Sequence, residues 1–166
     1  MAATLRGRGI LSLEVEQARF ARSMRAFLDT RAPEVVDLAV RKMAFDVVRE
    51  TTLAMNGIEV LPKRIDTGRL RAGWRVAMAD GGLPTEGLPS SAASQPGDGT
   101  AVVGRAGGLA RIVTVQNRVA YAGYVEHGTR WMRPGKHLER ALRVVRAALP
   151  GGATVRAPLL RAWRSA

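Results

Sequence analysis

The chain has 166 residues, 46% of them apolar, which suits a single domain with a real core. It carries 26 basic and 14 acidic residues, a formal net charge of +12 and a sequence pI of ≈ 11.6. It contains no cysteine, which excludes disulfides, thiolate metal sites and a cysteine nucleophile, and no apolar run reaches the ~20 residues that span a bilayer.

Charges interrupt the opening stretch "MAATLRGRGILSLEVEQ" at once, so it lacks the apolar core of a secretory signal, and a soluble, cytoplasmically made protein is expected. Residues 12–28 read as a helix, with Leu13, Phe20, Met24 and Phe27 on one face. Pro33, just after Thr30 and Arg31, is expected to end it and open the next. That second helix, residues 33–55, has Glu34 and Asp37 at its positive N-terminal end and an apolar stripe of Val36, Val40, Met43, Val47 and Leu53. Asn56-Gly57 is its stop signal. Asp66-Thr67-Gly68 reads as a turn that feeds a half-buried strand over residues 70–78. There Leu70, Ala72, Trp74, Val76 and Met78 alternate with Arg69, Arg71, Gly73, Arg75 and Ala77.

Residues 81–99, "GGLPTEGLPSSAASQPGDG", form a long flexible loop whose composition suggests ordering only against a partner. "TAVVGRA" and "ARIVTVQN" flank a Gly-Gly pair and read as a hairpin. "VAYAGYVEHGT" fits a short helix ended by Gly128, with Tyr121, Tyr124 and Val125 on one face. A last helix covers residues 136–149, and the tail from 150 to 166 is a strand, a docked turn or a free end. The order gives an α+β fold: N-terminal helices packed on a small, mainly antiparallel sheet of three or four strands, with a C-terminal helix. The expected organisation is a helical extension over 1–32, the main domain over 33–149 and the tail over 150–166.

Chemistry is poorly represented. Glu126 and His127 are adjacent and so do not face each other on a helix, and neither has an orienting third group at useful spacing. His137 lies beyond the Pro134-Gly135 turn, and neither histidine sits at metal-ligand spacing; no phosphate-binding glycine motif or nucleophile elbow occurs. Asp66-Thr67-Gly68 matches the aspartic-protease triplet in letters only, since the apolar strand that should precede it is replaced by "LPKRI". The expectation is therefore no catalytic residue, no metal and no cofactor. The charge is nearly all arginine, the only lysines being Lys42, Lys63 and Lys136. A basic surface attracts polyanions by counterion release; an arginine-biased GC-rich genome together with acidic neighbours would give the same composition.

Three blocks in order, "IDTGRLRAGWRV", "VQNRVAYAGYVEHGT" and "RPGKHLERAL", resemble the tail-completion, or head–tail neck, proteins of long-tailed phages, prophages and gene transfer agents. The matching residues are Asp66, Thr67, Gly68, Leu70 and Arg71; then Asn117, Tyr121, Ala122, Tyr124, Val125, Glu126, Gly128 and Thr129; then Pro134, Leu138 and Ala141. His127 and the "PGKHLERAL" form of the third block depart from the family pattern. The resemblance implies a non-enzymatic virion component, assembled in the bacterial host cytoplasm, that forms a ring of sixfold order at the head–tail junction. Such a ring joins connector proteins on the portal or adaptor side to tail-terminator or tail-tube proteins and leaves a lumen for DNA. In that reading Asn117, Tyr121, Tyr124, Glu126, His127, Thr129 and Trp131 form the subunit or partner interface, with Glu126 paired to an arginine of the first block or of a neighbouring subunit. Asp66, Thr67, Gly68, Gly128 and Pro134 shape turns. Arg69, Arg71 and Arg75 contact passing DNA or acidic partners without reading sequence. The alternative is a stand-alone basic nucleic-acid-binding protein.

Overall fold

The computed structural model describes residues 21–55, 68–107, 110–148 and 156–164. The expected Asn56-Gly57 stop and the Asp66-Thr67 part of the turn lie outside them.

Residues 21–26 are helical and lead without a break into a π-helical turn, Phe27–Arg31, and then α1, Ala32–Met55. The expected stop before Pro33 is thus corrected. Proline lacks an N–H, and its ring crowds the carbonyl four residues back. Here the turn ahead of it widens, with the Ala32 N–H donating to the Phe27 carbonyl and the Thr30 hydroxyl to the Ala26 carbonyl at 2.6 Å. The chain stays helical across the proline because the wider turn relieves the crowding.

A second correction concerns residues 69–80. They form a helix, α2 (Arg69–Asp80), rather than a strand, and its buried residues are Leu70, Ala72, Gly73, Trp74, Ala77 and Met78. Gly68 precedes it in the left-handed conformation, φ 75°, and its carbonyl accepts from the Ala72 N–H.

Strands β1 (Gly99–Gly107) and β2 (Ala110–Asn117) pair antiparallel, with Val103 opposite Val113 and Val102 opposite Thr114. Among the described residues the sheet has these two strands, not the three or four expected. The hairpin alternates: Ala101, Val103, Val113 and Val115 pack inward, while Val102 and Ile112 point to solvent. Gly99 lies so close to α2 that a Cβ there would strike the Gly73 carbonyl and Ala77, which lets the hairpin sit directly on the helix.

The short helix α3 (Ala122–His127) and α4 (His137–Ala148) follow, as expected from the sequence. The described part of the tail is a helix, α5 (Arg156–Arg164), which touches α1 and the π-helical turn. The core joins Val48 and Met55 of α1, Leu70, Trp74 and Met78 of α2, Ala101 of β1 and Val119. Leu83 and Leu88, from the connection between α2 and β1, complete it at 5% and 4% exposure. α4 lies along α1, with Leu138 against the core. The expected stripe Val40, Met43 and Val47 is half-buried and lines an apolar groove shared with Leu138 and Leu142. Helices and an antiparallel hairpin with a C-terminal helix make this an α+β protein, as the sequence implied. Among the described residues no helix is long and apolar enough to cross a membrane.

Candidate assembly surface

The second motif block builds a rigid platform before it displays anything. At its start the Asn117 side chain donates to the Leu70 carbonyl at 2.7 Å and accepts from the Val119 N–H at 3.1 Å. Asn117 therefore ties the end of β2 to α2. At the other end, the N–H groups of Gly135 and Lys136 donate to the carbonyls of Val125 and Glu126. The Glu126 carboxylate accepts from the Leu138 N–H at 3.0 and 3.2 Å and from the Glu139 N–H at 3.2 Å. These donors belong to the first turn of α4, where backbone N–H groups lack helical partners and the helix dipole is positive. Within the chain Glu126 meets these backbone N–H groups and no first-block arginine: it is a helix cap contributed from another element. His137, at the start of α4, is fully buried, whereas His127 is exposed at the end of α3.

Between these anchors the chain projects a tight tip. Gly128 ends α3 at φ 79° and ψ 179°, a conformation open to glycine alone, and a Cβ there would lie 2.6 Å from the Met132 carbonyl oxygen. Thr129 and Met132 exchange backbone hydrogen bonds of 2.8 and 3.2 Å, which closes a turn over Arg130 and Trp131. The Thr129 hydroxyl accepts from the Trp131 N–H at 3.2 Å. Trp131 is 85% exposed, and the Arg130 guanidinium lies over its ring at 4.7 Å from the centroid. Tyr124 is 62% exposed on the adjoining helix, and Tyr121, at its N-cap, is 41% exposed. Pro134 follows the tip, on the surface. A backbone-locked turn that holds a bare indole and a stacked guanidinium in water has the character of a contact surface.

The arginines of α2 have internal duties. The Arg69 guanidinium grips Asp98 through contacts of 3.1, 3.0 and 2.6 Å and also reaches Gln95 at 3.0 Å. Arg75 donates to the carbonyl of Leu88 at 2.9 Å. Together with buried Leu83 and Leu88, these bonds give residues 81–98 a defined path within the chain, anchors that the Gly/Pro/Ser-rich composition did not reveal. The hydrogen bond from Arg69 holds the Asp98 carboxyl below the usual carboxylate range, against the opposing effect of burial and with help from the Gln95 N–H. Asp80 is held low by hydrogen bonds from the Thr100 hydroxyl and the Ala101 N–H. Arg71 is half-buried on the same helix.

The interface residues named from the sequence thus divide. Tyr121 at the N-cap of α3, Tyr124 and His127 on it, and Thr129 and Trp131 at the tip are exposed, whereas Asn117 and Glu126 brace the platform from within. The stacked Arg130 was not foreseen; its signal is an Arg-Trp pair bracketed by Gly128-Thr129 and Pro134-Gly135. Among the described residues no group of three or more His, Asp or Glu side chains is placed to hold a metal ion.

Residues 18–128 match the family described as "Bacteriophage HK97-gp10, putative tail-component". No curated protein and no solved structure matches the chain.

Proposed function

The chain belongs to the HK97-gp10-like family of bacteriophage tail components, and on that footing we propose that it forms a ring at the head–tail junction. The ring, of sixfold order in this reading, completes the tail end, meets connector proteins on the head side and tail-terminator or tail-tube proteins on the other, and leaves a lumen for DNA. The observation that carries the reading is the tip at Arg130 and Trp131, an exposed aromatic–cationic knob braced by Asn117 and Glu126 on a backbone-locked turn. A structural component needs surfaces of fixed shape for its neighbours, and this segment supplies one. The work is mechanical rather than enzymatic.

The net charge of +12 suits contact with passing DNA through phosphates alone. Arg69, Arg71 and Arg75 remain part of this proposal. All three are half-buried, so any DNA contact they make is grazing, which suits a conduit better than a clamp. DNA affinity of the assembled protein is then weak, steeply salt-dependent and blind to sequence. A preference of about a thousandfold for one DNA sequence over random DNA would replace the conduit with a sequence-reading protein.

Removal of the gene tests the role. The expected result is DNA-filled capsids and separate tails that fail to join. Normally joined, infectious particles without this chain would refute it.

A further inference from the structure

A second surface feature answers the tip. A cleft of about 1040 Å³ lies between the π-helical turn, the start of α1 and the far end of the hairpin. Leu28, Pro33 and Val103 give it apolar walls, and Asp29, Glu34 and Asp37 bring carboxylates to it. Asp37 is engaged by Arg41 at 2.7 Å and Arg111 at 4.0 Å, and Arg105 also lines the cleft. Asp29 and Glu34 stand exposed at its edge. The contact of Glu34 with Arg31 is 3.8 Å long between two exposed side chains, a pair that water screens strongly. Leu28, 42% exposed, offers bare apolar surface beside them.

The tip carries the complementary chemistry: an indole that is 85% exposed, a stacked guanidinium, and exposed Arg133 two residues on. None of the residues lining the cleft comes from α3 or the tip, so a chain does not fill its own cleft with them. Self-association of a chain of net charge +12 is opposed by like-charge repulsion wherever basic surfaces meet. In the cleft Asp29, Glu34 and Asp37 are matched by Arg41, Arg105 and Arg111, so a cationic knob entering at the Asp29–Glu34 edge meets less repulsion than on a surface that is basic throughout.

We propose that Arg130 and Trp131 of one copy dock in the Asp29–Glu34 cleft of the next, a head-to-tail contact that rests on the ring reading above. Trp131 covers Leu28 and Pro33, while Arg130 and Arg133 face Asp29 and Glu34. Because the two patches differ, each added copy leaves one tip and one cleft open, and growth ends when the ring closes. Trp and Arg are the side chains that most often dominate interface energies, and a turn already locked by Thr129 and Met132 loses little freedom on docking.

Two variants at exposed positions, Trp131→Ala and the double Asp29→Arg/Glu34→Arg, test the contact, with circular dichroism to confirm that each is folded. Native mass spectrometry of the wild-type chain is expected to show closed rings, and each variant alone to be monomeric. Self-association should weaken by at least about 30-fold, the effect of losing one hot-spot side chain. An equimolar mixture of the two variants is expected to give 1:1 heterodimers and nothing larger, because only one intact tip and one intact cleft can meet. Wild-type-like rings from either variant, or a mixture without heterodimers, would overturn this contact and leave the ring reading standing. A wild-type chain that is monomeric both in solution and in particles would overturn the ring and the contact together.

Discussion

Glu126→Ala is expected to destabilise the protein by about 2 kcal/mol although no catalytic or metal role is assigned to this carboxylate. The side chain accepts from two backbone N–H groups of α4, those of Leu138 and Glu139, twelve and thirteen residues away. Loss of a helix cap costs about 1 kcal/mol. Loss of a negative charge at the positive end of a helix adds roughly 0.3–1 kcal/mol. Both donors are then left to water at the junction of α3 and α4, which brings the total to about 2 kcal/mol. For a protein of this size that lowers the thermal midpoint by roughly 4–8 °C. Glu126→Gln keeps one carbonyl acceptor and should cost about half as much. Urea denaturation followed by circular dichroism measures both variants, and an unchanged m-value would show that only stability moved. The reasoning is refuted if Glu126→Ala is within about 0.5 kcal/mol of the wild-type chain.

Leu88→Ala should cost about 2–4 kcal/mol, since it empties a buried site, and should abolish hydrogen-exchange protection across residues 81–98; rapid exchange of that segment in the wild-type chain would contradict the anchored path described here. Gly128→Ala should destabilise by roughly 1–3 kcal/mol from backbone strain and disturb the tip, seen as a changed Trp131 fluorescence environment; a neutral effect would exclude the conformation given for Gly128. Asp98 and Asp80 have folded pKa values below their unfolded ones, so their contribution is complete above the usual carboxylate range near pH ~4 and is lost as pH falls through the depressed folded values. Stability should therefore fall with acidification below about pH 5, and Asp98→Asn should flatten that slope; a slope identical to wild type would remove Asp98 from the account.

The sequence exposed what local pattern controls. Residues 33–55 carry helix signals over many turns, and "TAVVGRA" with "ARIVTVQN" alternates cleanly about a Gly-Gly pair, so α1 and the hairpin were legible. Residues 69–80 were not, for a definable reason. Leu70, Trp74 and Met78 recur every four residues, and four is both a multiple of the strand period and close to one helical turn. Arginines at 69, 71 and 75 completed an apparent alternation, yet Arg69 and Arg75 are bound to distant parts of the chain. The partners of Leu83 and Leu88 are likewise remote, so two leucines in a Gly/Pro/Ser-rich segment gave no sign that both are core residues. At the candidate site Tyr121, Tyr124 and Trp131 were named for an interface from their side-chain type, and the structure leaves all three exposed. The cap made by Glu126 depends on how α3 meets α4 and could not be read from a linear motif.

The central claim is a ring of this chain at the head–tail junction. Electron cryomicroscopy of intact tailed particles, reconstructed around the neck, tests it most directly. The account predicts a closed ring of α+β subunits between the connector and the first tail-tube layer, with the Arg130–Trp131 tip of each subunit against its neighbour and DNA or an open channel on the axis. Density for this chain spaced along the tube or at the distal tail tip, with none at the neck, would contradict it.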